Sequence, residues 1–285
     1  YKFQRSFEKL NIWNGTQTSD GGYVATGGIA GIGAGNDDIF LLKLNPFGKQ
    51  EWLKTYGGTS KEQGGMVRQT NDGGYIIVGT TYGGFGLGVD IYLVKTDLNG
   101  DTLWTRAYGT NNVEVAYSVY QTSDSGYILC GQSNISLNNN DVYLLKTDAS
   151  GNLQWTKTYG GLLTEQGYFV IQTLDGGFAL TGVTNSFGVP GEGNVFLIKT
   201  NSLGDTLWTR TYGGNDEDDG QVVLQTSDGG YMIGAMSFSF GAVDFDYYLI
   251  KTDANGDTLW TKTYGGNLED DLLSINQTSD GGYIL

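Results

Sequence analysis

The sequence predicts an all-β fold: a β-propeller of four-stranded antiparallel blades, six in number, with the last blade closed by both ends of the chain. Three observations predict it. The segment Gln-Thr-x-Asp-Gly-Gly-Tyr begins at Gln17, Gln69, Gln121, Gln172, Gln225 and Gln277, with departures such as Ser125 and Phe178, at spacings of 52, 52, 51, 53 and 52. Each period divides into four short β-type runs separated by Gly, Asn and Asp turns. The third run of each period is apolar on both faces.

The second period shows the four elements in order. Strand A covers roughly 65–70, and Asn71-Asp72-Gly73-Gly74 is a hairpin turn. Strand B, 75–80, is followed by a Gly-rich loop. Strand C covers 90–96, and Asp97-Leu98-Asn99-Gly100-Asp101 is the next turn. Strand D covers 102–108. Connections this short make neighbouring strands antiparallel, so the unit is a meander. Two further markers keep step: Asp/Asn-x-Phe/Tyr-Leu-x-Lys, ending at Lys43, Lys95, Lys146, Lys199 and Lys251, and Trp-x-Lys/Arg-x-Tyr-Gly, starting at Trp52, Trp104, Trp155, Trp208 and Trp260.

On strand C, Ile91 and Leu93 point one way while Tyr92 and Val94 point the other. A sandwich strand would keep one face wet. A small sheet buried on both sides needs a like sheet on each side, which radial repetition supplies. Five complete units are followed by strand A and part of strand B over 270–285, while 1–5 takes the place of a strand D. The expected organisation is therefore one domain over 1–285, with a split sixth blade made from 1–5 and 270–285. Strand C of that blade is absent from the sequence, and the expectation is a chain cut short, with donation by another subunit as the alternative.

Stretches such as Gln225-Thr-Ser-Asp-Gly-Gly-Tyr231 and the run from Tyr248-Leu-Ile-Lys to Thr263-Tyr-Gly-Gly266 resemble the propeller repeats of secreted and cell-surface bacterial proteins of the Bacteroidetes type that carry a C-terminal sorting domain. The resemblance covers essentially the whole chain. It implies an extracellular or cell-surface location and specifies architecture rather than ligand. Asp-Thr-Leu at Asp101, Asp205 and Asp257 also resembles the O-glycan acceptor motif of such proteins, although an edge-strand threonine beside a turn is the simpler reading.

Composition narrows the functions. The 285 residues carry a formal net charge of −15, which argues against nucleic acid and against an anionic membrane surface. There is no histidine, which removes the commonest general base, the commonest transition-metal ligand and every His-based nucleophile arrangement. The single Cys130 can form no internal disulfide, and its alignment with Thr26, Val78, Thr181 and Gly234 marks a packed substitution. No apolar run approaches the ~18 residues of a membrane span. The chain starts at Tyr1 and is read as a processed or excised segment, any leader lying outside it.

Most recurrent residues read as framework. Ten of the 16 basic residues recur in register: the five strand C lysines with Lys54, Arg106, Lys157, Arg210 and Lys262 on strand D. They are expected to snorkel along blade faces and pair with the repeat's aspartates. The five tryptophans are expected to be largely buried between blades. Asp253-Ala-Asn-Gly-Asp257 resembles the opening of a calcium loop, but its twelfth position is Tyr264 rather than Glu.

One set of residues invites chemistry. Six residues after each strand D tyrosine stands a carboxylate: Glu62, Glu114, Glu165, Asp218 and Asp270, with Leu10 at the equivalent first position. Preceding strand A, they are expected to ring the mouth of a central channel, either accepting backbone hydrogen bonds or holding a cation such as Ca²⁺. The D–A and B–C connections share one side of the meander, so these carboxylates lie beside the variable loops 82–89, 185–193 and 237–245.

The functional expectation is a non-catalytic extracellular or cell-surface scaffold that binds or displays, taking a glycan or protein ligand in adhesion or matrix contact, with no catalytic residue, nucleic acid or membrane insertion. The first alternative is a structural subunit that self-assembles into a filament or array. The second is a glycan-active enzyme using a carboxylate pair. Mixed channel-facing residues such as Met66, Arg68, Phe169 and Ser274 give no convergent polar constellation, so the chain is expected not to be an enzyme.

Overall fold

The computed structural model describes residues 10–83, 88–136, 139–189, 192–241, 244–278 and 280–285. The expected outer strand over 1–5 lies outside them, as do residues 84–87, 190–191 and 242–243 of the three variable loops. Among the described residues there is no helix. The chain forms two compact units, 1–129 with 146–154 and 130–145 with 155–285.

In the first unit, β1 (Leu10–Gln17), β2 (Tyr23–Ala30), β3 (Asp37–Leu44) and β4 (Gln50–Tyr56) form one sheet in chain order. β5 (Lys61–Gln69), β6 (Tyr75–Tyr82), β7 (Val89–Thr96) and β8 (Thr102–Tyr108) form the next. A third four-stranded sheet contains β9 (Glu114–Gln121), β10 (Tyr127–Ser136), β11 (Asn139–Thr147) and β12 (Leu153–Tyr159). In the second unit, β13 (Glu165–Gln172), β14 (Phe178–Thr184), β15 (Asn194–Thr200) and β16 (Thr206–Tyr212) pair in order. So do β17 (Asp218–Gln225), β18 (Tyr231–Ser237), β19 (Asp246–Thr252) and β20 (Thr258–Tyr264), and β21 (Asn276–Gln277) pairs with β22 (Tyr283–Ile284). The pairing is antiparallel, as short connections require.

The turns follow from one backbone solution. Thr18 N–H reaches Gly22 O at 2.9 Å and Gly21 N–H returns to Thr18 O at 2.9 Å, with Gly21 at φ 79°. This is a type I turn closed by a left-handed residue, which suits glycine. The same pair of bonds recurs at the other A–B turns. Only Ser125 stands at a positive φ (66°) without being glycine among the described residues.

The middle strands carry the core. Every residue of β14 and β15 is buried, and Asp90–Thr96 of β7 are too. Between the first two sheets, Val24, Ile39, Leu41, Val67, Ile77 and Val94 form one cluster with Tyr56, Tyr75 and Tyr92. Full burial of each aliphatic side chain is worth ~1.5–3 kcal/mol. The other face of β3 packs Phe40 and Leu42 with Ile29.

Consecutive sheets are joined by a recurring latch. Tyr56 donates its hydroxyl to Gly100 O at 2.7 Å and Tyr108 to Gly151 O at 2.6 Å; in the second unit Tyr159 reaches Gly204 O and Tyr212 reaches Gly256 O. The glycine that receives each bond lies under the tryptophan of the same D strand. A Cβ added to Gly100 would meet the Trp52 ring at 2.9 Å, and one on Gly256 would meet Trp208 at 2.7 Å. Lys54 bridges Asp101, Lys157 bridges Asp205 and Arg210 bridges Asp257. A second link joins A–B turns, where Ser19 N–H donates to Gln69 Oε1 at 2.7 Å and Asn71 N–H to Gln121 Oε1 at 2.8 Å.

Two expectations need correction. Trp52, Trp104, Trp155 and Trp208 are half-buried rather than buried, because each uses one ring face on the next turn and on Tyr75, Tyr127, Phe178 or Tyr231. Trp260 is 37% exposed. Strand A also starts earlier than expected, at Lys61 rather than 65, because a bulge between Gly64 and Met66 breaks its alternation without ending it. The same bulge falls at Ile12/Asn14, Gly167/Phe169 and Gly220/Val222.

Two outcomes follow. Replacing Ser125 by Gly relieves a left-handed side chain and raises stability by about 0.5–1 kcal/mol in urea unfolding. Tyr212→Phe strips the latch bond and leaves Gly256 O unsatisfied, lowering stability by about 1–2 kcal/mol in the same assay.

Candidate functional site

Residues at the two ends of each sheet behave differently. At the A–B end, the strand C lysine is buried and satisfied. Lys95 Nζ lies 2.8 Å from Asp72 Oδ2 and donates to Thr96 O, while Thr70 Oγ1 and Gly74 N–H also donate to Asp72. The pattern repeats at Lys43–Asp20, Lys146–Asp124, Lys199–Asp175 and Lys251–Asp228. These lysines are framework, as the sequence implied.

The opposite end holds the B–C and D–A connections and the five carboxylates. Four of them lie on strand A rather than before it: Glu62 lies within β5, and Glu114, Glu165 and Asp218 open β9, β13 and β17, while Asp270 precedes β21. Those four are at most 2% exposed, whereas Asp270 is half-buried. Each accepts the backbone N–H four residues earlier: Gly58 to Glu62 (3.0 Å), Thr110 to Glu114 (3.0 Å), Gly161 to Glu165 (2.8 Å), Gly214 to Asp218 (2.7 Å) and Gly266 to Asp270 (3.1 Å). The other oxygen takes a strand B hydroxyl: Thr81 donates to Glu62 at 2.9 Å, Thr184 to Glu165 at 3.0 Å, and Ser237 to Asp218. Glu62, Glu165 and Asp218 therefore tie the D–A loop to strand B, whereas Glu114 Oε1 accepts the hydroxyl of Thr110 at 2.7 Å. Among the described residues no group of three or more acidic or cysteine side chains could hold one metal ion.

Glu62, Glu114, Glu165 and Asp218 each have an acidic or amide neighbour that the motif spacing alone does not reveal. A Cβ on Gly57 would collide with Asp38 Oδ1 and Glu62 Oε2, and one on Gly160 with Asp141 Oδ1 and Glu165 Oε2. The first residue of the strand C marker thus faces the strand A carboxylate of the next repeat across a glycine. Burial, then the charge of Glu114, pushes the Asp90 carboxyl up; burial, then Glu165, does the same to Asp141. The fourth pair is Asn194 with Asp218. The signal was in the sequence as the Asp/Asn opening of the second marker, but the partners stand 24 residues apart.

Loops above these pairs vary and carry exposed apolar groups. In the second unit Ser186-Phe187-Gly188 and Ser239-Phe240-Gly241 repeat one device: Ser186 Oγ accepts Leu163 N–H at 2.8 Å, and Ser239 Oγ accepts Asp216 N–H at 3.0 Å. Phe187 is 49% exposed and Phe238 43%, the latter edge-on to Phe245 with centroids 4.4 Å apart. A cavity of about 280 Å³ lies beneath Phe187, lined by Val142, Tyr159, Glu165, Phe196 and Ile198 among others. Cys130 is fully buried and its thiol is pushed up by desolvation, so it is packed, as expected. Thr102, Thr206 and Thr258 open β8, β16 and β20 and are exposed.

No family model matches the chain. Regulatory protein FlaEY of Caulobacter vibrioides is 30% identical over 127 residues, 39% of this chain and 13% of that protein, so the chain spans a small part of that relative. Among solved structures, a protein of unknown function from Dyadobacter fermentans is similar at TM-score 0.53 and 13% identity, covering 81% of this chain and 72% of that one. Puromycin hydrolase is similar at 0.51 and 14% identity, covering 93% and 40%. A protein of Bifidobacterium bifidum assigned as an exo-β-1,3-galactanase is similar at 0.50 and 12% identity, covering 90% and 92%. These likenesses define an all-β, propeller-like class. They also correct the expectation that the chain is not an enzyme: enzymes share this fold, so neither the architecture nor the missing histidine supports that exclusion.

One acid departs from the framework. Burial, then Glu217 and Asp218, pushes Asp219 up to about 7, and its Oδ1 is buried without a hydrogen-bond partner. Asp124 and Asp175 are held down to about 2, against desolvation, by Thr122 and Lys146 and by Lys199 and Thr173 respectively. The signs are opposite. Asp124 and Asp175 stabilise above the ordinary Asp value near 4, and lose that contribution as pH falls toward 2. Asp219 favours the fold below about 4 and loses that contribution as pH rises through about 7. Asp219→Asn should therefore raise the melting temperature more at pH 8 than at pH 5, as differential scanning calorimetry will read.

Proposed function

We propose that the chain is a six-bladed propeller of a secreted or cell-surface protein, related to the Bacteroidetes-type repeats, that binds an extracellular protein through its B–C and D–A loops. One observation carries the reading: the repeat-invariant residues are used in holding sheets together, while loop length and sequence vary at the B–C and D–A end, although exposed apolar residues such as Phe47, Leu98, Leu174 and Leu203 also stand on the turns of the other end. Phe187, Phe238, Phe240 and Leu163 stand on loops anchored by Ser186, Ser239 and the buried carboxylates. Apolar groups held on such supports lose little freedom when a partner covers them. The acids beside them, Asp216, Glu217 and Asp244, fit a partner whose surface is apolar and basic.

The test is a binding panel of immobilised matrix and cell-surface proteins beside a glycan array. The wild type should bind a protein target, and Phe187→Ser/Phe238→Ser/Phe240→Ser should weaken that binding at least about tenfold with an unchanged melting temperature. Binding to glycans alone, or equal binding by the variant, overturns the reading.

A further inference from the structure

We propose that the inward-facing pairs Asp38–Glu62, Asp90–Glu114 and Asp141–Glu165 are calcium sites, one at each of the first three interfaces between consecutive repeats, lying under the variable loops. This inference is independent of any loop ligand. It differs from a single channel-mouth ring, because each cation is held by two carboxylates from neighbouring sheets rather than by five converging on one axis.

The Asp38 pair shows the need for a ligand most plainly. Asp38 is 1% exposed; its Oδ2 accepts Gly35 N–H at 3.2 Å, but its Oδ1 is buried and has no hydrogen-bond partner. That Oδ1 and Glu62 Oε2 face the same point beside the Cα of Gly57, where a Cβ has no room. Two carboxylate oxygens so placed, away from water, repel unless a positive charge lies between them. Among the described residues no lysine or arginine forms an ion pair with either acid. The arrangement recurs at Gly160, where Asp141 Oδ1 is likewise buried and without a hydrogen-bond partner and Glu165 is 2% exposed. At Gly109 a Cβ would strike Asp90, whose carboxyl feels the charge of Glu114.

The fourth interface bears on what the positive charge is. Asn194 donates its amide to Glu192 O at 2.9 Å and Val189 O at 3.1 Å, while its Oδ1 accepts Val189 N–H at 3.4 Å on the side of Asp218. The amide therefore supplies no proton to the carboxylate; it presents a second oxygen. An oxygen pair retained after one charge is lost is what a cation site keeps and a shared proton does not require. The donors are all hard oxygens, with no histidine in the sequence, which selects calcium over transition metals. Two carboxylates, with the remaining positions left to water, place the affinity near 10⁻⁴–10⁻³ M, the range of extracellular calcium modules.

The experiment uses the full chain. Calorimetric titration with Ca²⁺ at constant ionic strength should show about three sites, and scanning calorimetry should show a higher melting temperature in millimolar Ca²⁺ than in chelator, with a smaller rise in Mg²⁺. Asp38→Asn/Asp90→Asn/Asp141→Asn installs at three interfaces the residue that the fourth already accommodates. It should weaken calcium binding at least about tenfold and melt in chelator no lower than the wild type. If the triple variant does not fold, Asp38→Asn alone decides by removing one equivalent. Wild-type protein that takes up no calcium, or a variant that binds it unchanged, overturns the proposal. A wild type that ignores calcium but gains stability as pH falls from 7 to 5 overturns it in favour of shared protons.

Discussion

The bond from a strand D tyrosine to the glycine carbonyl of the next repeat is the constraint that the rest of the structure follows. The glycine meets two demands at once. At Gly100 the backbone has φ 77°, and the Trp52 ring leaves no space for a Cβ. The tyrosine reaches that carbonyl only if the next C–D turn lies flat against strand D, and the same contact brings Lys54 to Asp101 at 2.9 Å. Exposed ion pairs of this kind contribute little, about 0–1 kcal/mol. The buried hydroxyl bond and the aromatic area contribute more, so Trp, Tyr and Gly set the geometry while the charges assist register. Four tyrosines repeat it at 43 to 45 residues' separation, which is how the 51- to 53-residue period becomes a packing rule.

Because that latch is local to consecutive repeats, it also separates the two ends of each sheet. The A–B end is filled by one chemistry, a buried lysine on an Asp-Gly-Gly-type turn, and tolerates little change. The B–C end needs only a carboxylate on strand A, a hydroxyl on strand B and a glycine on the D–A loop. Loop sequence beyond those points is unconstrained, so Ser-Phe-Gly can serve at 186–188 and 239–241 while residues 31–36 are six-residue turns rich in glycine. The architecture thus concentrates tolerance to change at the end where a ligand would touch it.

Much of this was legible in the sequence because the repeat repeats its turns. The strand order, the turn residues and the pairing of strand C lysines with aspartates all follow from period and spacing. What stayed hidden has specific causes. The bulge at Gly64/Met66 shifts the alternation of β5, so Glu62 turns inward although its position suggests a channel mouth. The Asp38–Glu62 pairing joins separate sheets, and a marker read within one repeat does not show its partner in the next. Burial of the tryptophans was overestimated because recurrence identifies a packing residue but not how much of it is covered.

Asp219 shows where the repeat logic stops. Two equivalent positions hold Gln63 and Gln166, whose side-chain oxygens accept the hydroxyls of Tyr82 at 3.0 Å and Tyr168 at 2.7 Å, while the others hold Asn11, Val115 and Asp271. A neutral acceptor there has a partner and no charge to desolvate. Asp219 has neither advantage: its Oδ1 is buried without a hydrogen bond beside Asp218 and Glu217. Two repeats satisfy this position with a glutamine, and the fifth does not. A departure that costs stability at neutral pH, and that no latch or turn requires, belongs to the loop end rather than to the fold. It lies on β17 below the same connection that exposes Phe238 and Phe240.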